Sequence, residues 1–416
     1  MKKYITLLLL IISSITLSQT CGHDYLLQTK GDNYKSNYQL IYDIATERNP
    51  TNLNTYYIPV VFHIVYNNNS QNIADSVLHS QIEVLNEDYR RLNENASETR
   101  DEFLEFAGDS NIEFFLANID PDGNPTNGII RQFTYRDEFL MFEDVFSNEI
   151  TLDEVKSSTN GGSDAWDTDL YLNIWVCNIG TLELFGQELG QVFGYAYPPT
   201  NIDEALSNLE TGPDWPIDML TNDEALQGVV LHYTAIGRNN PSANEDNLIE
   251  NNLGRAAVHE VGHFLGLRHI WGDAITLIGE DGCNVDDGIQ DTPNANDQAG
   301  YVCDFNKNTC TGDTFGSSGE DLPDMVENYM DYSPDACLNI FTNGQINVMQ
   351  NVLEIARPNL IHTQPEISST QTIVAENSKN KEIIKQVDIL GRNSNQGFNM
   401  KIYSNGSIEK IYQLVD

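Results

Sequence analysis

Between Ala256 and Asp273 the chain reads AAVHEVGHFLGLRHIWGD. Three of its eight histidines fall within eleven residues there, from His259 to His269, in apolar surroundings. His259 and His263 are four apart, a spacing that predicts a helix with both imidazoles on one face, one turn apart. Val258, Val261, Phe264, Leu265 and Leu267 must pack elsewhere, on a core. Glu260 follows the first histidine directly, so it can face a water on a shared cation without ligating it. Gly266 comes three residues after His263, where a glycine can end the helix through a left-handed conformation. Three residues on, His269 can fold back as a third ligand. Three neutral nitrogens and an open fourth position describe a catalytic Zn²⁺ site. Such a metal acidifies a water and polarises a carbonyl, while Glu260 takes the water's proton and relays it to a leaving amine. That chemistry is peptide hydrolysis. The rival is a buried helix with incidental histidines. A bare H-E-x-x-H arises often by chance, but the full H-E-x-x-H-x-x-G-x-x-H is far more specific.

The chain has 416 residues, enough for one large domain with appended segments. Its net charge of −40 argues against nucleic-acid binding, because a phosphate backbone would be repelled. Such acidity suits solubility, oxygen-rich loops for Ca²⁺, and attraction of basic substrates. At the N-terminus, Lys2 and Lys3 precede an apolar run from Tyr4 to Ile12, and Thr16-Leu17-Ser18 offers small residues at a cleavage point. This reads as a secretory signal over 1–18, cut before Gln19. The run is too short to span a membrane, and no other stretch is long and apolar enough to do so. A lipoprotein acylated on Cys21 is the weaker alternative. Secretion makes disulfides available to the six cysteines.

Residues 19–56 are polar with few strong periodicities, and read as an extended leader, a pro-segment outside the core. Order begins with the β-rich run Ile58–Tyr66. Leu78, Ile82, Leu85 and Tyr89 then predict a helix over about Asp75–Leu92. Further strands are expected at Asn111–Ala117, Tyr171–Cys177, Gln191–Tyr197 and Gly228–Ile236, and the motif helix opens near Asn252. Mixed strands and helices imply an α/β (α+β) domain over 57–361, a twisted mixed sheet with packed helices. From Asp273 to about Asp335 the chain is irregular and needs other fasteners; three of the six cysteines lie within it, and Cys337 just beyond. Residues 362–381 read as a linker, and 382–416 as a few short strands.

The histidine motif and the downstream Glu327-Asn328-Tyr329-Met330-Asp331-Tyr332 together resemble the metzincin metallopeptidases. Within that clan the chain is most similar to the pappalysin family, in its cytophagalysin/ulilysin-like branch. The likeness runs from Ile58 to Leu360 through IPVVFHIVY, LNIWVCNIG, HEVGHFLGLRHIWGD, DDGIQDTP and ENYMDYSPDAC. It implies a zinc endopeptidase acting on protein or peptide substrates and made as a zymogen. His259, His263 and His269 would bind zinc, with Glu260 as general base. Met330 would be the methionine of the tight turn beneath the metal, and Tyr332 would steady the tetrahedral intermediate. Asp335 would lie at the base of the S1′ pocket and select Arg or Lys after the scissile bond; read by itself it is a turn or capping aspartate.

The resemblance also implies structural Ca²⁺ held by Asp287 and Thr292, perhaps with Asp291, where the residues alone equally describe a solvated acidic loop. It implies disulfides Cys283–Cys310 and Cys303–Cys337, of the three connectivities that four cysteines permit. In Cys21-Gly22 it implies a cysteine switch, a thiolate over the open zinc position. The rivals are a Cys21–Cys177 disulfide and an inert leader thiol. The last segment, with VDILGR and IYSNGSIEK, resembles the C-terminal sorting domain of type IX secretion cargo, and so implies the secretion machinery as a partner. Read by itself, that segment is a small β-module that packs on the peptidase.

Overall fold

The computed structural model describes residues 20–23, 26–27, 30–51, 54–139, 152–184, 187–201, 226–244, 252–273, 281–300, 302–312, 319, 321–366, 383–388, 397–403 and 408–413. The expected signal at 1–18 and most of the linker at 362–381 lie outside them. Among the described residues, no helix is long and apolar enough to cross a membrane.

The run read as the first strand forms β2, Tyr56–Tyr66, at the middle of an eight-stranded sheet. Along one side it pairs in parallel with β5, Leu172–Cys177. Along the other it pairs in parallel first with β3, Ile112–Leu116, and then with β4, Ile129–Phe133. Beyond β5 comes β8, Val229–His232, also parallel, and then β7, Gln187–Ala196, antiparallel to it. The short strand β6, Thr181–Leu184, folds back on the first half of β7. The outer side of the second half of β7 receives β1, Thr20–Cys21, in parallel.

Both faces of this sheet are covered. Ile174 and Val176 of β5 join the core beneath the helices, whereas Trp175 and Cys177 join a second cluster with Tyr195 and Val230. This is why LNIWVC, apolar but for Asn173, reads as a near-continuous apolar run instead of alternating. Helix α2, Asp75–Tyr89, packs on β3 and on α3, Arg255–Phe264, which in turn packs on β7 and β8. A further helix, α4, Asn343–Ala356, opens on a capping box between Thr342 and Gln345. It had no counterpart in the expectations above, nor had β4.

The leader departs most from its sequence reading. Within it, Asp32–Glu47 forms a 16-residue helix, α1, which packs on α4. Tyr38, Ile41, Tyr42 and Ala45 bury one face of it in the same core as the sheet. The buried positions recur at helical spacing, but tyrosines supply much of the face. A residue with an apolar body and a polar tip does not register as a hydrophobic stripe. The tyrosine tips reach backbone acceptors: Tyr38 donates to Gly266 O at 3.2 Å and Tyr42 to Asp287 O. The Arg268 guanidinium lies over the Tyr42 ring, 4.2 Å from its centroid.

The irregular segment is fastened as the resemblance implied. Cys283–Cys310 and Cys303–Cys337 are disulfides, with Cα separations of 5.4 and 5.9 Å. Closing loops of 27 and 34 residues restricts the unfolded chain, an effect of about 3.5 kcal/mol each in the loop-entropy account. Cys21 and Cys177 are both buried and outside disulfides, which removes the Cys21–Cys177 alternative.

The chain divides into two compact units, 1–118 with 126–366, and 119–125 with 367–416. The second carries a three-stranded antiparallel sheet of β9, Ile383–Asp388, β10, Gly397–Tyr403, and β11, Ile408–Gln413.

Candidate active site

Helix α3 is closed at both ends by devices that set its imidazoles. At its start, Asp335 Oδ2 accepts from the Leu253 N–H at 2.8 Å and, more weakly, from that of Arg255 at 3.4 Å. At its end Gly266 takes φ +96°. The Gly266 and Leu267 N–H groups donate to the carbonyls of His263 and Gly262, a Schellman closure that turns the chain. His269 thereby returns to the two histidines of α3, as its spacing predicted.

Each ring is then oriented through its inner nitrogen. His259 Nδ1 meets Tyr329 O at 2.7 Å, His263 Nδ1 meets Leu267 O at 2.8 Å, and His269 Nδ1 meets Asp273 Oδ1 at 2.7 Å. These acceptors fix the Nδ1–H tautomer and leave the Nε2 lone pairs outward. The three Nε2 atoms converge, with His263 3.1 Å from each of the others. Lone pairs this close repel unless a cation lies among them. Burial, together with the neighbouring imidazoles, holds His259 and His263 well below the ordinary histidine pKa, in the neutral form that ligates. The donor set therefore fits zinc.

The segment after Glu327 forms the floor. The Glu327 carboxylate is held by Arg100, Nε to Oε1 at 2.9 Å. The Asn328 amide exchanges two hydrogen bonds with Gln345 of α4, at 2.9 and 3.0 Å. Met330 is fully buried and packs against α3 at Gly262, where an added Cβ would stand 2.5 Å from its sulfur. Tyr332 stands edge-on to the His269 ring at 4.9 Å.

Glu260, His259, Tyr332, Asp335, Arg255 and Cys21 line one open cleft. Asp335 is both a helix cap and a wall of this cleft, so its two sequence readings are compatible. Burial pushes its carboxyl up to about 6, against the pull of the backbone donors and Arg255. Glu260 is nearly closed off from solvent and packs against β7 at Gly194. An added Cβ at Gly194 would lie 2.7 Å from Glu260 Cγ and 2.9 Å from Val230 O. Gly194→Ala is expected to displace the Glu260 carboxylate and lower kcat by about 10²-fold, the usual cost of misplacing a reacting group by about 1 Å. Steady-state kinetics on the processed chain, alongside zinc content, check this; unchanged kcat sinks it.

The leader enters the same place. Cys21 Sγ and the three imidazole nitrogens all lie within 4.8 Å of one another. Tyr332 donates its hydroxyl to Cys21 O at 3.3 Å, and the Gly22 N–H donates to Gly194 O at 2.7 Å. Further off, Asp287 and Thr292 are buried, and Asp287 Oδ2 and Thr292 Oγ1 have no hydrogen-bond partner among the described residues. Burial, then the charges of Asp286 and Asp291, push the Asp287 carboxyl well up despite the Ile289 N–H. Asp291 Oδ2 accepts from the Gly344 N–H at the start of α4, at 2.8 Å.

Asp273, Gly194 and His23 were missed in the sequence. Asp273 carried a signal, since it stands four residues after His269. Gly194 and His23 carried none, because their roles depend on contacts across the fold.

The family described as pregnancy-associated plasma protein-A, Peptidase_M43, matches residues 238–354, which contain the histidine cluster and the Met330 turn. A Tannerella forsythia promirolysin mutant is similar over 87% of this chain and 99% of its own, at 33% identity and a TM-score of 0.63. Tannerella forsythia mature mirolysin in complex with a cleaved peptide is similar over 80% and 100%, at 38% identity and a TM-score of 0.57. An extracellular metalloprotease of Arthroderma gypseum is 27% identical over 298 residues, 72% of this chain and 71% of that protein. With the fold, the donor set and the family match falling on the same residues, the chain belongs to the pappalysin family of zinc metalloendopeptidases.

Proposed function

We propose that this chain is a secreted zymogen whose processed form cuts peptide bonds before Arg or Lys. The observation that carries this reading is the convergence of three Nε2 lone pairs beside Glu260 and Asp335 in one cleft. His259, His263 and His269 would hold the zinc, which when bound supplies Lewis-acid activation of a water and of the scissile carbonyl. Glu260 accepts the water's proton and delivers it to the departing amine. Its nearly closed surroundings keep the carboxylate from exchanging that proton with bulk water. The Tyr332 hydroxyl, which donates to the Cys21 carbonyl in the latent chain, would donate after leader removal to the substrate oxygen as charge develops there.

Latency follows from Cys21. Its sulfur completes the ring of donors around the metal position while β1 occupies the edge of β7. The promirolysin likeness and the extracellular naming of the fungal relative support secretion as a precursor. A Ca²⁺ at Asp287 and Thr292 would satisfy two buried oxygens and the strained Asp287 carboxylate. Asp291 offers a third such oxygen, since its Oδ1 is buried without a hydrogen-bond partner among the described residues while its Oδ2 accepts from the Gly344 N–H. The signal at 1–18 and export through the C-terminal strands complete the reading.

The test is a cleavage-site profile of the processed chain on a peptide library, with and without a chelator. Chelator-sensitive cutting is expected, with Arg or Lys at P1′. Asp335→Asn is expected to lower the ratio of kcat/KM for Arg over neutral P1′ substrates by about 10- to 100-fold, the worth of one charge-assisted hydrogen bond. The same ratio should depend on pH. Because the Asp335 carboxyl titrates at about 6, it is mostly protonated at pH 5 and ionised at pH 7, so selectivity rises with pH between them. A flat ratio across that window, or an unchanged ratio in the asparagine variant, removes Asp335 from specificity.

A further inference from the structure

The leader brings a second side chain to the metal site. His23, two residues after Cys21, is fully buried. Its ring lies flat on that of His263, with centroids 3.9 Å apart and planes 5° from parallel. It stands edge-on to His269 at 6.1 Å and to Tyr38 of α1 at 6.2 Å. Its Nδ1 is 3.4 Å from the Ala196 carbonyl at the end of β7. Its own main-chain N–H donates to Cys21 Sγ at 3.3 Å. One residue therefore touches the thiol, a predicted zinc ligand, the end of β7 and the leader helix.

These contacts have a common consequence. A two-residue β1 is a weak anchor, since a strand this short makes few ladder bonds. Gly22, between the two side chains, adds backbone freedom. A rigid contact close by in the chain would hold the thiol in register, and the stacked His23 ring is two residues away. Flat and edge-on ring contacts are directional, so they fix position as well as contributing area.

We propose that the His263 ring face, the His269 edge and the Ala196 carbonyl form a subsite for a flat ring, and that His23 in this subsite holds Cys21 at the metal position. This rests on the cysteine-switch reading above. Cys21 and His23 then act as one bipartite plug, the sulfur toward the metal and the ring behind its second ligand.

The full, uncleaved chain tests this in a Glu260→Ala background, so that no self-cleavage removes the leader. The chain is loaded with one equivalent of zinc and treated with iodoacetamide, and Cys21 modification is followed by peptide mass spectrometry. Cys177, buried in the sheet, reports unfolding in the same digest. Cys21 is expected to be protected in the parent and to react about 2- to 10-fold faster in His23→Ala, the scale of one lost ring contact. His23→Phe, which keeps a flat ring, is expected to restore protection. Equal protection in parent and His23→Ala, with Cys177 silent, overturns the proposal. So does a phenylalanine variant as reactive as the alanine one. If the parent's Cys21 reacts equally fast with and without zinc, the switch itself fails and the proposal falls with it.

Discussion

A Glu260→Ala chain freed of its leader is expected to hydrolyse peptides about 10²- to 10⁴-fold more slowly than the parent, with its zinc content unchanged. The expectation rests on position. Glu260 is adjacent to His259 in sequence, yet the convergent donor cluster consists of Cys21 and the three histidines. Truncating Glu260 should thus remove the proton carrier and leave the ligands, whose orientation depends on Tyr329, Leu267 and Asp273. The fold should tolerate the change, because Glu260 packs on a glycine and its truncation adds no bulk there. Metal analysis beside single-turnover kinetics separates the outcomes. If zinc is lost with activity, Glu260 supports the metal and not the proton transfer. Undiminished turnover would place the base elsewhere.

The second large effect is expected in the opposite direction. Cys21→Ser in the full chain should raise activity before any cleavage, on the order of 10²-fold, because a tethered ligand acts at high effective concentration and a hydroxyl is a poor substitute for a thiolate on zinc. The remaining leader contacts, β1 on β7 and α1 on α4, stay in place, so full activity is not expected. The measurement is the initial rate on a short peptide, with gel analysis showing an intact chain. A variant as silent as the parent would mean that the leader blocks by bulk alone.

What was legible in the sequence followed from spacing. The i, i+4 histidines, the glycine and the third histidine specify a helix, a turn and a return, and local hydrogen bonds build each of them. The central strands were legible because both of their faces are apolar. The pairing of four cysteines came from family likeness and not from spacing. The leader helix was not legible, since tyrosines supply much of its buried face. Asp335 shows a different limit. Whether it caps a helix or lines a cleft could not be chosen, because the fold makes it do both. Gly194 and His23 gain their roles only when β7, α3 and the leader meet, which no local pattern encodes.

Helix α1 has a further consequence. Tyr38, Ile41, Tyr42 and Ala45 share one core with the sheet and α4, so under the proposed processing the chain folds around a piece that the working enzyme discards. Burying a large side chain is worth about 1.5–3 kcal/mol, and cutting the leader away surrenders several such contributions after the fold is complete. The mature protein would then persist by the slowness of its unfolding and not by the depth of its energy minimum. Once unfolded, it would lack the template on which it was made.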